Sequence, residues 1–146
     1  AQTALKEVRD RWPGKVRLVF KHFPISSHPR AFDAAVAAVC AERQGRFWSF
    51  HDALFTEERL GSGAAVRELA ARIGLDPAEF GRCMASPEAA ELVREDLATG
   101  RAAGVDGTPA LFVNKRRVPR IHELIPIIQE ELDRMEPRGG NGHLRE

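Results

Sequence analysis

The sequence predicts an α/β fold, with strands towards the two ends of the chain and a long helical block between them. Three observations carry this. A short run of β-branched and apolar residues, Val16-Arg17-Leu18-Val19-Phe20, follows the breaker pair Pro13-Gly14 and reads as a buried strand. Apolar residues at helical spacing then continue from about Pro29 to Ala103. Finally Gly107-Thr108-Pro109 precedes Ala110-Leu111-Phe112-Val113-Asn114, a tight turn that delivers a proline to the mouth of a second strand. Proline cannot donate to a sheet ladder, so it belongs at a strand's first residue, an edge or a bulge. A threonine before proline is held extended.

The elements follow in order. Residues 1–12 read as a helix with Ala4, Leu5 and Val8 on one side. Pro24 and Pro29 bracket a loop. Phe32, Val36, Val39 and Cys40 fall at i, i+4, i+7 and i+8, one face of a helix that Gly45 can end in a left-handed conformation. Phe47 to Phe55 gives a short helix rich in aromatics, and Val66, Leu69, Ala70 and Ile73 mark another, ended by Gly74. Asp76-Pro77-Ala78-Glu79 is a start signal: Asp76 caps, Pro77 suits the first helical position, and Glu79 completes a capping box. Ser86-Pro87-Glu88 repeats the device before a helix with Ala89, Leu92, Val93 and Leu97 inward. After Gly104 the period becomes that of strands. Ala110–Val113 and Arg116–Val118 are predicted to pair across a two-residue turn at Asn114-Lys115, with lysine a poor second member. Ile121, Leu124, Ile125, Ile128 and Leu132 define a closing helix. Pro126 is tolerated there only in the first turn, so the helix is expected to begin near His122 or Glu123. Residues 136–146 read as a disordered tail.

Taken together, three stretches resemble the thioredoxin-like superfamily, and more closely its DsbA-type disulfide oxidoreductase branch. They are Pro13 to Pro24; Ala37-Ala38-Val39-Cys40-Ala41 with Gln44 to Phe55; and Gly100 to Asn114, with Gly74-Leu75-Asp76 between. The resemblance implies a thioredoxin-like domain over residues 1–135, with a helical insertion at about 29–103. Enzymes of this branch carry a reactive Cys-x-x-Cys after the first strand and at the start of the first helix. No Cys-x-x-Cys exists in these 146 residues, and Ala1 to Val8 look like the body of that helix. The expectation is therefore a domain whose N-terminal strand and dithiol are missing from the sequence.

In that fold the first strand lies between the counterparts of Val16–Phe20 and Ala110–Val113. Without it both neighbours carry unpaired backbone groups, each costing about 1–3 kcal/mol if buried. A repair is expected. Either the two strands close on each other, or a second copy lends a segment in a homodimer formed by strand exchange, or upstream residues supply it.

Composition bounds the rest. Apolar residues make up 43% and charged residues 29%, ordinary for a globular domain. Twenty-two basic and 21 acidic side chains leave a net charge of +1, which gives no electrostatic case for nucleic acid or an anionic membrane. No run approaches the roughly 18 apolar residues of a membrane span. No signal peptide is visible, and the chain starts with Ala1 instead of Met. Lys115-Arg116-Arg117 reads as a solvated hairpin tip.

The two cysteines, Cys40 and Cys83, lie far apart in the sequence, which suits neither a zinc site nor a redox dithiol. Three readings stay open: a structural disulfide within the helical block, two buried thiols, or a catalytic pair. The exported setting implied by the resemblance favours the disulfide. His22, His28, His51, His122 and His143 are scattered and offer no convergent metal ligands. Asp52 beside His51 is expected on a different side of the helix. Trp12 and Trp48 read as core or core-edge aromatics. No cofactor is indicated.

The resemblance implies a periplasmic or otherwise extracytoplasmic thiol-disulfide oxidoreductase, with protein or peptide substrates bearing thiols or disulfides and a redox partner protein. It places substrate binding at Thr108, whose backbone would meet the bound peptide, beside a cis-proline at Pro109. The structural alternative is that Pro109 merely starts a strand. The chain by itself is expected to be inert in dithiol exchange. A reading from another class is a redox-dead thioredoxin-like module that binds peptides or proteins.

Overall fold

The structure, a computed structural model, describes residues 1–57 and 63–136. It contains helices α1 (Gln2–Arg11), α2 (Ala31–Arg43), α3 (Phe47–Thr56), α4 (Gly63–Arg72), α5 (Pro77–Ala85), α6 (Pro87–Ala102) and α7 (Leu124–Met135), and strands β1 (Leu111–Val113) and β2 (Arg116–Val118). A 3₁₀ turn at Ile121–Glu123 leads into α7. Residues 137–146, most of the expected tail, lie outside the described residues. The chain divides into two compact units: Ala1–Val19 with the chain from Thr108 onward, and Phe20–Gly107.

The first unit joins α1, the β hairpin and α7. Val8 of α1 and Trp12 just after it bury against Val118, Leu124, Ile127 and Ile128, with Leu5, Val16, Leu111 and Val113 at the margin. The hairpin is antiparallel, pairing Leu111 with Val118 and Val113 with Arg116, so Asn114-Lys115 forms the two-residue turn. Among the described non-glycine residues a positive φ occurs only at Asn114, at 54°. Asparagine tolerates that region, and the lysine is spared it. Pro126 is the third residue of α7, within the first turn, where its missing N–H is not needed.

Val16–Phe20 departs from expectation. It belongs to no ladder among the described residues, and the sheet contains β1 and β2 alone. The strand alternation survives in part: Val16 and Leu18 are half-buried, while Arg17 and Val19 face outward, Val19 at 56% exposure. A period of two sets which side chains turn inward, but a strand also needs a backbone partner. β1 pairs with β2, so the expected closure of β1 on Val16–Phe20 does not occur.

The second unit is helical. Residues 35–41 of α2 are all buried, so α2 is a central helix covered on every side. It is packed by α3, α4, α5 and α6. Phe50 and Phe80 are the largest fully buried side chains, with ring centroids 6.2 Å apart. Gly45 and Gly74 adopt φ of 70° and 83° at the ends of α2 and α4, as left-handed stops require.

The two helix-start signals behave differently. Asp76 accepts the Glu79 N–H at 2.8 Å, an N-cap bond. The reciprocal half of the expected box is taken over by Gln44 from the end of α2. Its Oε1 accepts the Asp76 N–H at 2.8 Å, and its Nε2 donates to the Asp76 carbonyl at 3.3 Å. Ser86 does not cap α6. It is shared between two helices, its N–H closing α5 on the Cys83 carbonyl at 3.0 Å, and its Oγ is buried without a hydrogen-bond partner. On α6 the inward stripe is Ala89, Val93, Asp96 and Gly100, and Leu92 points out at 44% exposure.

Candidate functional site

Thr108 and Pro109 lie in the first unit, immediately ahead of β1, and both are exposed. The peptide bond between them is cis. Beyond Ala110 the strand alternates, with Leu111 and Val113 turned towards the unit's core and Phe112 outward at 40% exposure. Thr108 therefore lies exposed at the lead of a strand whose other end is fixed by the hairpin.

The cysteines belong to the second unit. Cys40 on α2 and Cys83 on α5 form a disulfide, with Cα atoms 5.6 Å apart. Both are buried. Neither sulfur of the bridge is a thiolate that could attack a substrate, and burial screens both from an incoming thiolate. The chain holds no other cysteine. Among the described residues no cluster of His, Cys, Asp and Glu could hold a metal ion, and no helix is long and apolar enough to cross a membrane.

A feature that single-residue reasoning missed is a cluster of rings in the second unit. Phe20 stands 5.2 Å from His22, 5.2 Å from Phe47 and 5.0 Å from His51, centroid to centroid. Trp48 and Phe55 complete it, 5.3 Å and 4.8 Å from His51. His22 and His51 are its buried polar members, at 7% and 6% exposure. Asp52, expected to face elsewhere, reaches back to His51, with Nδ1 and Oδ1 3.1 Å apart. The signal in the sequence was the spacing of Phe47, His51 and Phe55 at i, i+4 and i+8 on one helix face. Burial pushes the His22 imidazole below its ordinary value. Asp96 opposes that shift, and His51 and Lys21 add to it.

Residues 1–126 match the family model of the DsbA-like thioredoxin domain, and the chain belongs to that family. A crystal structure of a thioredoxin-like oxidoreductase from Silicibacter pomeroyi DSS-3 superposes with a TM-score of 0.77 at 29% identity, covering 90% of this chain and 79% of that one. The fold is thus α/β, thioredoxin-like with a helical insertion, of the type that thiol-disulfide oxidoreductases use. Among curated proteins, the Na+/H+ antiporter NhaA 1 of Mycolicibacterium gilvum is 35% identical over 117 residues, which is 78% of this chain and 19% of that protein. The Na+/H+ antiporter NhaA 3 of Salinispora tropica is 37% identical over 103 residues, 70% of this chain and 16% of that protein. The chain therefore spans less than a fifth of the length of these two relatives.

Proposed function

We propose that this chain is part of a DsbA-type protein thiol-disulfide oxidoreductase that acts on protein thiols and disulfides outside the cytoplasm. The observation that carries the reading is the family match over residues 1–126, which includes Thr108-Pro109 at the lead of β1. In such a domain a thiolate at a helix N-terminus is favoured by the positive end of the helix dipole. It attacks one sulfur of a substrate disulfide, and the other sulfur leaves as thiolate. The resulting mixed disulfide is resolved by a second thiol, so two electrons pass in all. The role of this chain's own residues is to hold the peptide: the Thr108 backbone pairs with the extended substrate, and Pro109 shapes the loop beside it. A redox partner protein resets the dithiol. The antiporter names of the curated relatives support a place of action close to a membrane.

The 146 residues alone are inert in this exchange, because they contain no Cys-x-x-Cys and the Cys40–Cys83 bridge is buried away from an attacking thiolate. The same observation favours the second reading, a redox-dead module that binds peptides through Thr108 and Pro109. Two experiments test what the readings share, and the sequence ahead of Ala1 separates them. The purified chain is mixed with a reduced, then an oxidised, model peptide, and background rates are expected; turnover at the level of an intact oxidoreductase would give Cys40 and Cys83 a catalytic role. Amide resonances are then followed as a cysteine-containing peptide is added. Shifts centred on Thr108 and Ala110 are expected, and no shift there would remove the binding role from this loop. A Cys-x-x-Cys ahead of Ala1 in the intact protein makes it the enzyme, and its lack makes it the binding module.

A further inference from the structure

The segment Phe20–Pro24 has no regular secondary structure, yet it is fastened to two helices of its own unit. On the α6 side, Asp96 accepts the His22 backbone N–H at 2.9 Å through Oδ2 and the Lys21 ammonium at 3.0 Å through Oδ1. One turn further along α6, the Phe23 ring lies over Gly100, so close that a Cβ there would stand 2.7 Å from Phe23 Cδ2. On the α3 side, Phe20 and His22 pack their rings against Phe47, and Phe20 also against His51.

Within these fastenings His22 is a side chain whose ordinary titration, in the absence of burial, falls just below neutral pH. The charged and titratable groups facing it are Asp96 from α6, His51 from α3 and Lys21 on its own segment, with Asp52 bound to His51. Both oxygens of Asp96 are already engaged, one by Lys21 and one by the His22 main chain. An imidazolium in this buried place would give up its hydration among apolar rings, with Phe20 and Phe47 centroids 5.2 and 6.0 Å away.

We propose that Phe20–Pro24 is a proton-operated strap: neutral His22 keeps it clasped to α3 and α6, and protonation of His22 releases it and uncovers the aromatic face of Phe47 and Trp48. The sign follows from linkage. In the released strap His22 ionises at its ordinary value, about 6.5, and in the clasped strap at a lower one. Opening therefore grows as pH falls through 6.5, and it levels off below the clasped value. Over that window the opening constant rises about tenfold for each pH unit separating the two values.

Hydrogen exchange of the 146-residue chain between pH 5 and 8, corrected for intrinsic rates, tests this. Faster exchange towards pH 5 is expected in the peptide covering residues 20–24, with α5 unchanged as an internal reference. The His22 Cε1–H resonance is expected to titrate below 6.5 over the same range. His22→Phe keeps a ring in place and removes the proton, so its exchange in this peptide is expected to be flat with pH. A flat profile in the wild type, an unchanged slope in His22→Phe, or equal acceleration across α2 to α6 would overturn the strap. If His22→Phe does not fold, the wild-type titration decides: a His22 midpoint at or above 6.5 overturns the proposal, and one below it that tracks the exchange supports it.

Discussion

Cys40 and Cys83 join the central helix α2 to α5 inside the second unit, their Cα atoms 5.6 Å apart. The bridge closes a loop of 43 residues that contains α3 and α4. In the chain-entropy model a loop of that size contributes about 4 kcal/mol by restricting the unfolded chain. Cys40→Ala/Cys83→Ala is expected to lose about that much in urea unfolding, with wild type unfolded under reductant showing a similar loss. A loss below about 1 kcal/mol would mean that helix packing alone sets the stability of this unit.

Gly100 and Phe23 set two effects against each other. Replacing a helix-interior glycine with alanine stabilises by about 0.5–1 kcal/mol through backbone entropy. Here the new Cβ would meet the Phe23 ring at 2.7 and 2.8 Å, and overpacking costs about 1–3 kcal/mol. The clash wins, because both touching atoms belong to a stiff ring. Gly100→Ala is expected to destabilise by about 1 kcal/mol. Combined with Phe23→Ala, the same change is expected to be neutral or favourable. A double-mutant cycle by thermal or urea unfolding reads the coupling, and additive effects would show that the ring simply moves aside.

The two helix-start serine and aspartate positions give opposite forecasts. Asp76→Ala removes the oxygen that takes the Glu79 N–H and is expected to cost about 1 kcal/mol. Gln44→Ala is expected to add a further loss, because the Gln44 amide holds both backbone groups of Asp76. Ser86→Ala removes a buried hydroxyl that has no partner, so it is expected to be neutral or stabilising. Unfolding midpoints of the three variants check the set. A loss at Ser86 equal to that at Asp76 would place a cap where the structure has none.

These residues also mark what the sequence disclosed. Local signals with a single physical cause were legible: the left-handed glycines 45 and 74, the Asp76 cap, the Asn114-Lys115 turn and the entry of Pro126 in the first turn of α7. Signals that depend on a distant partner were not. Val16–Phe20 has strand composition but no ladder, because pairing is decided by what lies alongside. Helical spacing placed one face of α2 inward, whereas four surrounding helices bury residues 35–41 entirely. Leu92, inward by helical spacing, is 44% exposed at the edge of the α6 face that Asp96 and Gly100 turn to the Phe20–Phe23 segment. At the candidate site, Thr108-Pro109 was conspicuous because proline restricts its neighbours. The ring cluster was not, because Phe20 and His22 come from one segment and Phe47 and His51 from another.

His22 is expected to contribute to the acid sensitivity of the second unit. Its folded-state value lies below the ordinary 6.5, so the folded chain resists a proton that the unfolded chain accepts. Stability from this group is complete above 6.5 and is lost as pH falls from there through the folded-state value. Urea midpoints are therefore expected to drop between pH 7.5 and 5.5, and His22→Phe to flatten that part of the profile. Asp96→Asn is the sharper test. An amide oxygen can still accept the His22 N–H, but the carboxylate's attraction for an imidazolium is gone. The folded-state value then falls further, and the acid loss deepens and reaches to lower pH. An Asp96→Asn profile shallower than wild type would show that Asp96 acts mainly through Lys21 and not on His22.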